Sequence, residues 1–215
     1  MNKLLKKELG LAMHPTAPMF LALSVLLIIP NYPYYVTFFY TSLAIFFTCL
    51  NGRENNDVYY TLLLPVPKRS VVASRMLFAV LLELAQLLLA LPFALIRQSM
   101  PIPGNQAGMD ANIAFFGLAL VLLGIFNAVF FPLYYRDVTK VGKAFAIASA
   151  VEFLCIIAAE ACAFALPFFK TRLDTPDPQY LGSKLAVLFA GLAVYLLLTA
   201  LSYRRSARSF EKLDI

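Results

Sequence analysis

Between Leu9 and Gly52 the chain carries no Lys, Arg, Asp or Glu for 44 residues. One helix of that length would be about twice as long as the ~30 Å hydrocarbon core of a bilayer, so the run must fold back. Pro30-Asn31-Tyr32-Pro33 supplies the turn, because prolines remove backbone donors and bias the preceding residue away from helix. The pattern therefore predicts helices over Thr16–Ile29 and Tyr34–Leu50. Further apolar runs predict helices over Val71–Ile96, Ile113–Tyr135, Ala144–Phe169 and Leu185–Tyr203. Ahead of them, Met1 to Met13 reads as a short amphipathic helix that lies in the membrane interface, ended by His14-Pro15. Leu5, Leu9, Ala12 and Met13 share its apolar face, and Lys3, Lys6, Lys7 and Gly10 the other. A secretory signal is not expected, since a second apolar segment follows at once without a small-residue cleavage site.

Composition turns this pattern into a class. Hydrophobic residues make up 61% of the 215 and charged residues 14%, whereas a soluble chain is roughly half apolar and a quarter charged. The expectation is an all-α polytopic membrane protein of one domain with six transmembrane helices. Its loops are too short to hold a separate catalytic domain. Net charge is +6, but the basic residues lie in clusters that flank the spans. Only Arg97, Lys170, Arg172 and Lys184 fall on one side, and the other fourteen of the eighteen fall on the side of the termini. By the positive-inside rule both termini are cytoplasmic. Nucleic acid is not an expected partner, and anionic lipid is.

The loop between the second and third spans departs from a passive connector. Asn55 or Asn56 is placed to cap a short helix whose first turn holds Asp57, and Pro65 stops it. That helix, within residues 54–65, carries Val58, Tyr59, Tyr60, Leu62 and Leu63, more apolar surface than water tolerates on so short a piece. Pro65-Val66-Pro67 is a stiff connector to the third span, which Ser70 is expected to cap.

The run from Glu54 through Leu63-Leu64-Pro65-Val66-Pro67-Lys68-Arg69-Ser70-Val71-Val72-Ala73-Ser74-Arg75 resembles the signature loop of small ABC-2-type permeases. There an acidic residue, an apolar stretch, Leu-Pro-Val, a basic pair and Val-Val-x-x-Arg follow in this order. Within that family the chain is most similar to permeases of phenol-soluble-modulin or antimicrobial-peptide exporters. The resemblance implies a permease in a bacterial plasma membrane that pairs with a second copy, a homodimer before a heterodimer. It also implies export of amphipathic or hydrophobic peptides, driven by separate cytoplasmic ATPase subunits. ATP and Mg2+ would bind those subunits, with no cofactor in this chain. Carried over by position, the ATPase-coupling residues are Glu54, Asp57, Val58, Tyr59, Tyr60, Leu62, Leu63, Leu64 and Pro65. Pro67 and Lys68 stand where members of the family often have Ser and Arg.

The remaining chemistry is sparse. Gly142-Lys143-Ala144 lacks the earlier glycine and the Ser/Thr of a phosphate-binding loop, so the chain is not expected to hydrolyse ATP. Cys49, Cys155 and Cys162 have no pairing spacing, and a lone His14 is too little for a metal site or a catalytic triad. An enzyme is not expected. Glu83 and Gln86 on the third span, and Glu152 and Glu160 eight residues apart on the fifth, are too costly to face lipid. Two readings stand: interhelical glue, or a substrate pathway. A proton-coupled secondary transporter using these carboxylates is the alternative function. It gives no role to the short apolar helix and should show inverted repeats, which are not visible.

Overall fold

The computed structural model describes residues 2–101 and 103–213; Met1, where the expected interfacial helix starts, and Ile102, in the third-to-fourth loop, lie outside the described residues. All regular structure among the described residues is helical: α1 (Asn2–Lys7), α2 (Ala17–Ala22), α3 (Val36–Glu54), α4 (Asp57–Leu62), α5 (Lys68–Ser99), α6 (Ile113–Tyr134), α7 (Val141–Ala165) and α8 (Leu181–Glu211). Four of these, α5 to α8, are long and apolar enough to cross a membrane. Their outer surfaces are lipid-like, with Leu88 and Leu95 on α5, Leu154 and Ile157 on α7, and Leu196 and Leu197 on α8 all exposed.

The amino-terminal third is wound irregularly. α1 runs into a π-helical turn over Glu8–Ala12, and α2 into a 3-10 stretch over Leu23–Ile28. The two pieces meet at 83°, and together they raise the count of possible crossings to five. The continuous helix expected over Thr16–Ile29 is thus corrected to six α residues followed by six 3-10 residues. At 1.5 and 2.0 Å per residue that pair reaches only about 21 Å. Ser24 helps tighten it, donating to the Leu21 carbonyl at 2.9 Å while accepting from Gln86 Nε2 at 3.0 Å. Asn31 then turns the chain in the left-handed region, with φ of 57°.

Elsewhere the helices overrun or undershoot the apolar runs. α5 starts at Lys68 with Pro67 as its N-cap, so Ser70 lies in the first turn and does not cap it. α8 continues two turns past Tyr203, burying Phe210 against Tyr135 at 5.2 Å between ring centroids. Arg69 pairs with Glu211 at 2.6 Å, which ties the start of α5 to the end of α8. α7 ends at Ala165, four residues short of the expected Phe169, where a separate π-helical turn, Phe169–Leu173, begins.

α6 sits at the centre, its aromatic residues Phe115, Phe126, Phe130 and Phe131 wholly buried. Against α8 the backbones touch. A Cβ on Gly191 would stand 2.0 Å from the Gly117 carbonyl oxygen, and one on Gly117 2.6 Å from that of Val187. Small residues at such a crossing let dispersion and weak polar contacts act between main chains, which lipid cannot supply. Gly191→Val should therefore force the helices apart at a cost of about 1–3 kcal/mol or more. The check is a thermal aggregation curve in detergent; a midpoint equal to wild type would contradict this packing. α3 meets α7 through aromatic rings, Phe46 stacked on Phe145 at 4.1 Å and Phe39 tilted against Phe153 at 4.6 Å.

Candidate functional site

The site is built where α1, α4 and α5 meet, at the face that carries both described chain ends. α3 ends in Arg53-Glu54, which pair with each other in an exposed ion pair. Asn56 then reverses the chain with φ of 52°, and α4 starts at Asp57. The sequence placed a cap here. Asn56 acts instead through its left-handed backbone, which asparagine tolerates better than most residues, and its side chain makes no capping bond.

α4 has two faces. Val58 and Thr61 are buried and Leu62 packs partly against the core, so these point inward. Tyr59 and Leu64 are exposed, Tyr60 is 66% exposed and Leu63 82%. Glu54 and Pro65 flank this surface and are also exposed. Of the nine residues carried over from the resemblance, six therefore face out, and Asp57, Val58 and Leu62 hold the helix in place. A cavity of about 910 Å³ opens beside it, walled by Lys3, Leu4 and Lys7 of α1 and by Leu64-Pro65-Val66-Pro67 and Ser70.

Beneath α4 lies a cluster of four charges. Asp57 reaches Arg75 Nη2 at 2.5 Å through one oxygen and Lys7 Nζ at 2.7 Å through the other. Arg75 Nε in turn meets Glu8 at 2.5 Å, and Lys7 closes the ring to Glu8 at 3.2 Å. Lys7 also donates to Thr61 Oγ1 at 3.0 Å. The Arg75 side chain is 4% exposed, Glu8 1% and Asp57 19%. Two acids and two bases balance, and that balance is what permits such burial. Gly52 makes room for the guanidinium, since a Cβ there would stand 3.3 Å from Nη1. The cluster binds the amino-terminal segment, the short helix and a membrane helix into one body.

Glu8, Lys7, Thr61 and Arg75 were not singled out as site residues from the sequence. The signals were present: Glu8 is the single acid among Lys3, Lys6 and Lys7, and Arg75 is a charge one turn inside an apolar run. The amphipathic reading of α1 is corrected accordingly. Across α1 and the π-helical turn that follows it the buried face is Leu4, Glu8 and Ala12, and Leu9 is exposed.

The four intramembrane candidates are each engaged by a different neighbour. Glu83 accepts from Tyr195 OH at 2.5 Å and Asn127 Nδ2 at 3.1 Å, linking α5 to α6 and α8. Glu152 accepts from Ser42 on α3 at 2.9 Å, and Gln86 donates to Ser24. Glu160 accepts from the backbone of Met109 at 2.9 Å, in the loop after α5. They do not converge on one point. Each also keeps one oxygen buried without a partner, Oε1 of Glu83, Gln86 and Glu160 and Oε2 of Glu152.

At the far face two further cations are buried. Arg97 donates to Tyr34 OH and to the Pro103 carbonyl, both at 2.8 Å, and Lys184 pairs with Asp177 at 2.8 Å. These contacts fasten the loop before α6 and the loop before α8.

Among comparisons with known proteins, the family model described as ABC-2 family transporter protein matches residues 3–211. No curated protein and no solved structure matches the chain.

Proposed function

As the chain belongs to the ABC-2 transporter family, and is thereby a multi-pass membrane subunit of a transporter, we propose that it is the permease of an ATP-driven exporter whose engine docks on α4. The observation that carries this reading is the two-faced short helix. Tyr59, Tyr60, Leu63 and Leu64 form an outward apolar ridge, and the opposite side of the helix is anchored by ion pairs to α1 and α5. An apolar ridge held rigidly at a membrane surface suits insertion into a groove on a cytoplasmic ATPase subunit. Force applied there passes through Asp57 and Arg75 into α5. Two ATPase subunits and a second permease copy complete the assembly, and ATP and Mg2+ belong to the ATPases.

In this reading the plasma membrane of a bacterium is crossed six times with both termini inside. The segment Ala17–Ile28 and the turn to Tyr35 make the first, thin crossing, and α3 the second. Amphipathic or hydrophobic peptides are the cargo, attracted by Glu83, Glu152 and Glu160. Purification of the tagged chain from cells that also express its ATPase should yield a complex that hydrolyses ATP faster when a cationic amphipathic peptide is added. The double change Glu152→Gln and Glu160→Gln should insert and retain the ATPase but lose that stimulation. Normal stimulation of the variant across a pH series would make both carboxylates structural, and absence of any bound ATPase from the wild-type preparation would overturn the reading itself.

A further inference from the structure

The elbow between α6 and α7 holds a cavity of about 340 Å³ lined by Arg136, Asp137, Lys140 and Lys143 above and by Leu133, Ala144 and Ile147 below. Three cations and one anion surround it. The anion is already committed: Asp137 pairs with Lys140 at 2.7 Å and accepts from the backbone and hydroxyl of Thr139 at 3.1 and 2.6 Å. Those partners, Lys140 first, hold its carboxyl down at about 2, so it stays ionised and fixed. Among the described residues Arg136 and Lys143 have no acidic partner.

The layering of the cavity is the second observation. Ile147 lies one turn, about 6 Å, further along α7 than Lys143, and Leu133 lies in the last turn of α6, ahead of Arg136 in the loop that follows. A ring of cations thus stands directly over an apolar wall, on two helices long enough to cross a membrane. A soluble anion would use only the upper half.

We propose that this elbow binds an anionic phospholipid, its phosphate between Arg136 and Lys143 and an acyl chain along Leu133, Ala144 and Ile147. The inference requires only that α6 and α7 cross the bilayer, and it stands whether or not an ATPase docks on α4. The two unmatched cations, each worth about a fivefold factor near a membrane surface, give a preference of roughly thirtyfold over a zwitterionic lipid.

The test uses the full chain in detergent micelles, titrated with short-chain phosphatidylglycerol, short-chain phosphatidylcholine or inorganic phosphate. Hydrogen exchange of peptides covering residues 133–147 gives a local readout. Phosphatidylglycerol should slow exchange there, phosphatidylcholine should need roughly thirtyfold more, and inorganic phosphate at equal concentration should do little. The pair Arg136→Ala and Lys143→Ala should abolish the preference, and the charge-keeping pair Arg136→Lys and Lys143→Arg should retain it, which separates loss of charge from loss of fold. Equal protection by both lipids, or by phosphate alone, overturns the proposal. So does protection of the elbow by an ATPase subunit in lipid-free conditions, which would make it a protein-docking surface.

Discussion

Arg75→Met lowers the stability of the folded permease by about 3–5 kcal/mol, the usual loss when one partner of a buried ion pair is removed. The cost falls on Glu8, whose side chain is 1% exposed and whose nearest cation is the guanidinium at 2.5 Å. Asp57 suffers less, because Lys7 stands closer to it, at 2.7 Å against 3.2 Å from Glu8, and it is 19% exposed to solvent. The companion change Glu8→Gln should therefore restore most of the loss, since an amide needs no counter-charge. A double-mutant cycle by thermal unfolding in detergent measures this, and the coupling should survive 0.5 M salt because the pair is shielded from mobile ions. Additive losses in the double variant would show that the two charges do not act as a pair. In the rescued protein the three helices remain packed and Lys7 still holds Asp57, but the ionic tie to α5 is gone, so transport should stay impaired after stability returns.

The second large effect is the one the proposed docking on α4 requires, a loss of ATPase association without a loss of fold. Leu63→Asp or Tyr60→Asp places a carboxylate on the exposed ridge of α4, where the free protein tolerates it. Entry of that charge into an apolar groove costs several kcal/mol, enough to reduce ATPase binding by a factor of about a thousand. Val58→Asp is the control with the opposite signature, because Val58 faces the core and its replacement should unfold the site first. Pull-down of the ATPase, with size-exclusion profiles of each variant, checks both. Undiminished association in Leu63→Asp and Tyr60→Asp would remove α4 as the contact.

Much of this architecture was legible from hydrophobic runs. α6 begins at the expected Ile113 and ends one residue short of the expected Tyr135, because no charge interrupts it and Asn112 caps it, accepting from Phe115 N at 3.1 Å. α5 and α8 overran their runs, since helices continue past the apolar boundary when their polar ends find partners such as Arg69 and Glu211. The winding of Leu23–Ile28 was not legible. It depends on Gln86, 62 residues away, supplying a bond to Ser24. The short helix was legible from Asn56, Asp57 and Pro65, but not which of its residues turn inward. Alternating apolar residues on a two-turn helix give no face until a partner such as Arg75 fixes Asp57. Glu8 escaped notice for the same reason, its partner being 67 positions further on.

The glycine contact between α6 and α8 limits how a transport cycle can move. Main chains that touch without intervening side chains have nothing soft to repack, and a slide of one turn would drive Val187 or Tyr195 onto the place Gly191 now occupies beside Gly117. The pair is thus denied translation and behaves as a single strut. Any alternation between inward and outward access must leave this pair intact and be carried by the elements around it, with the strut as the fixed post.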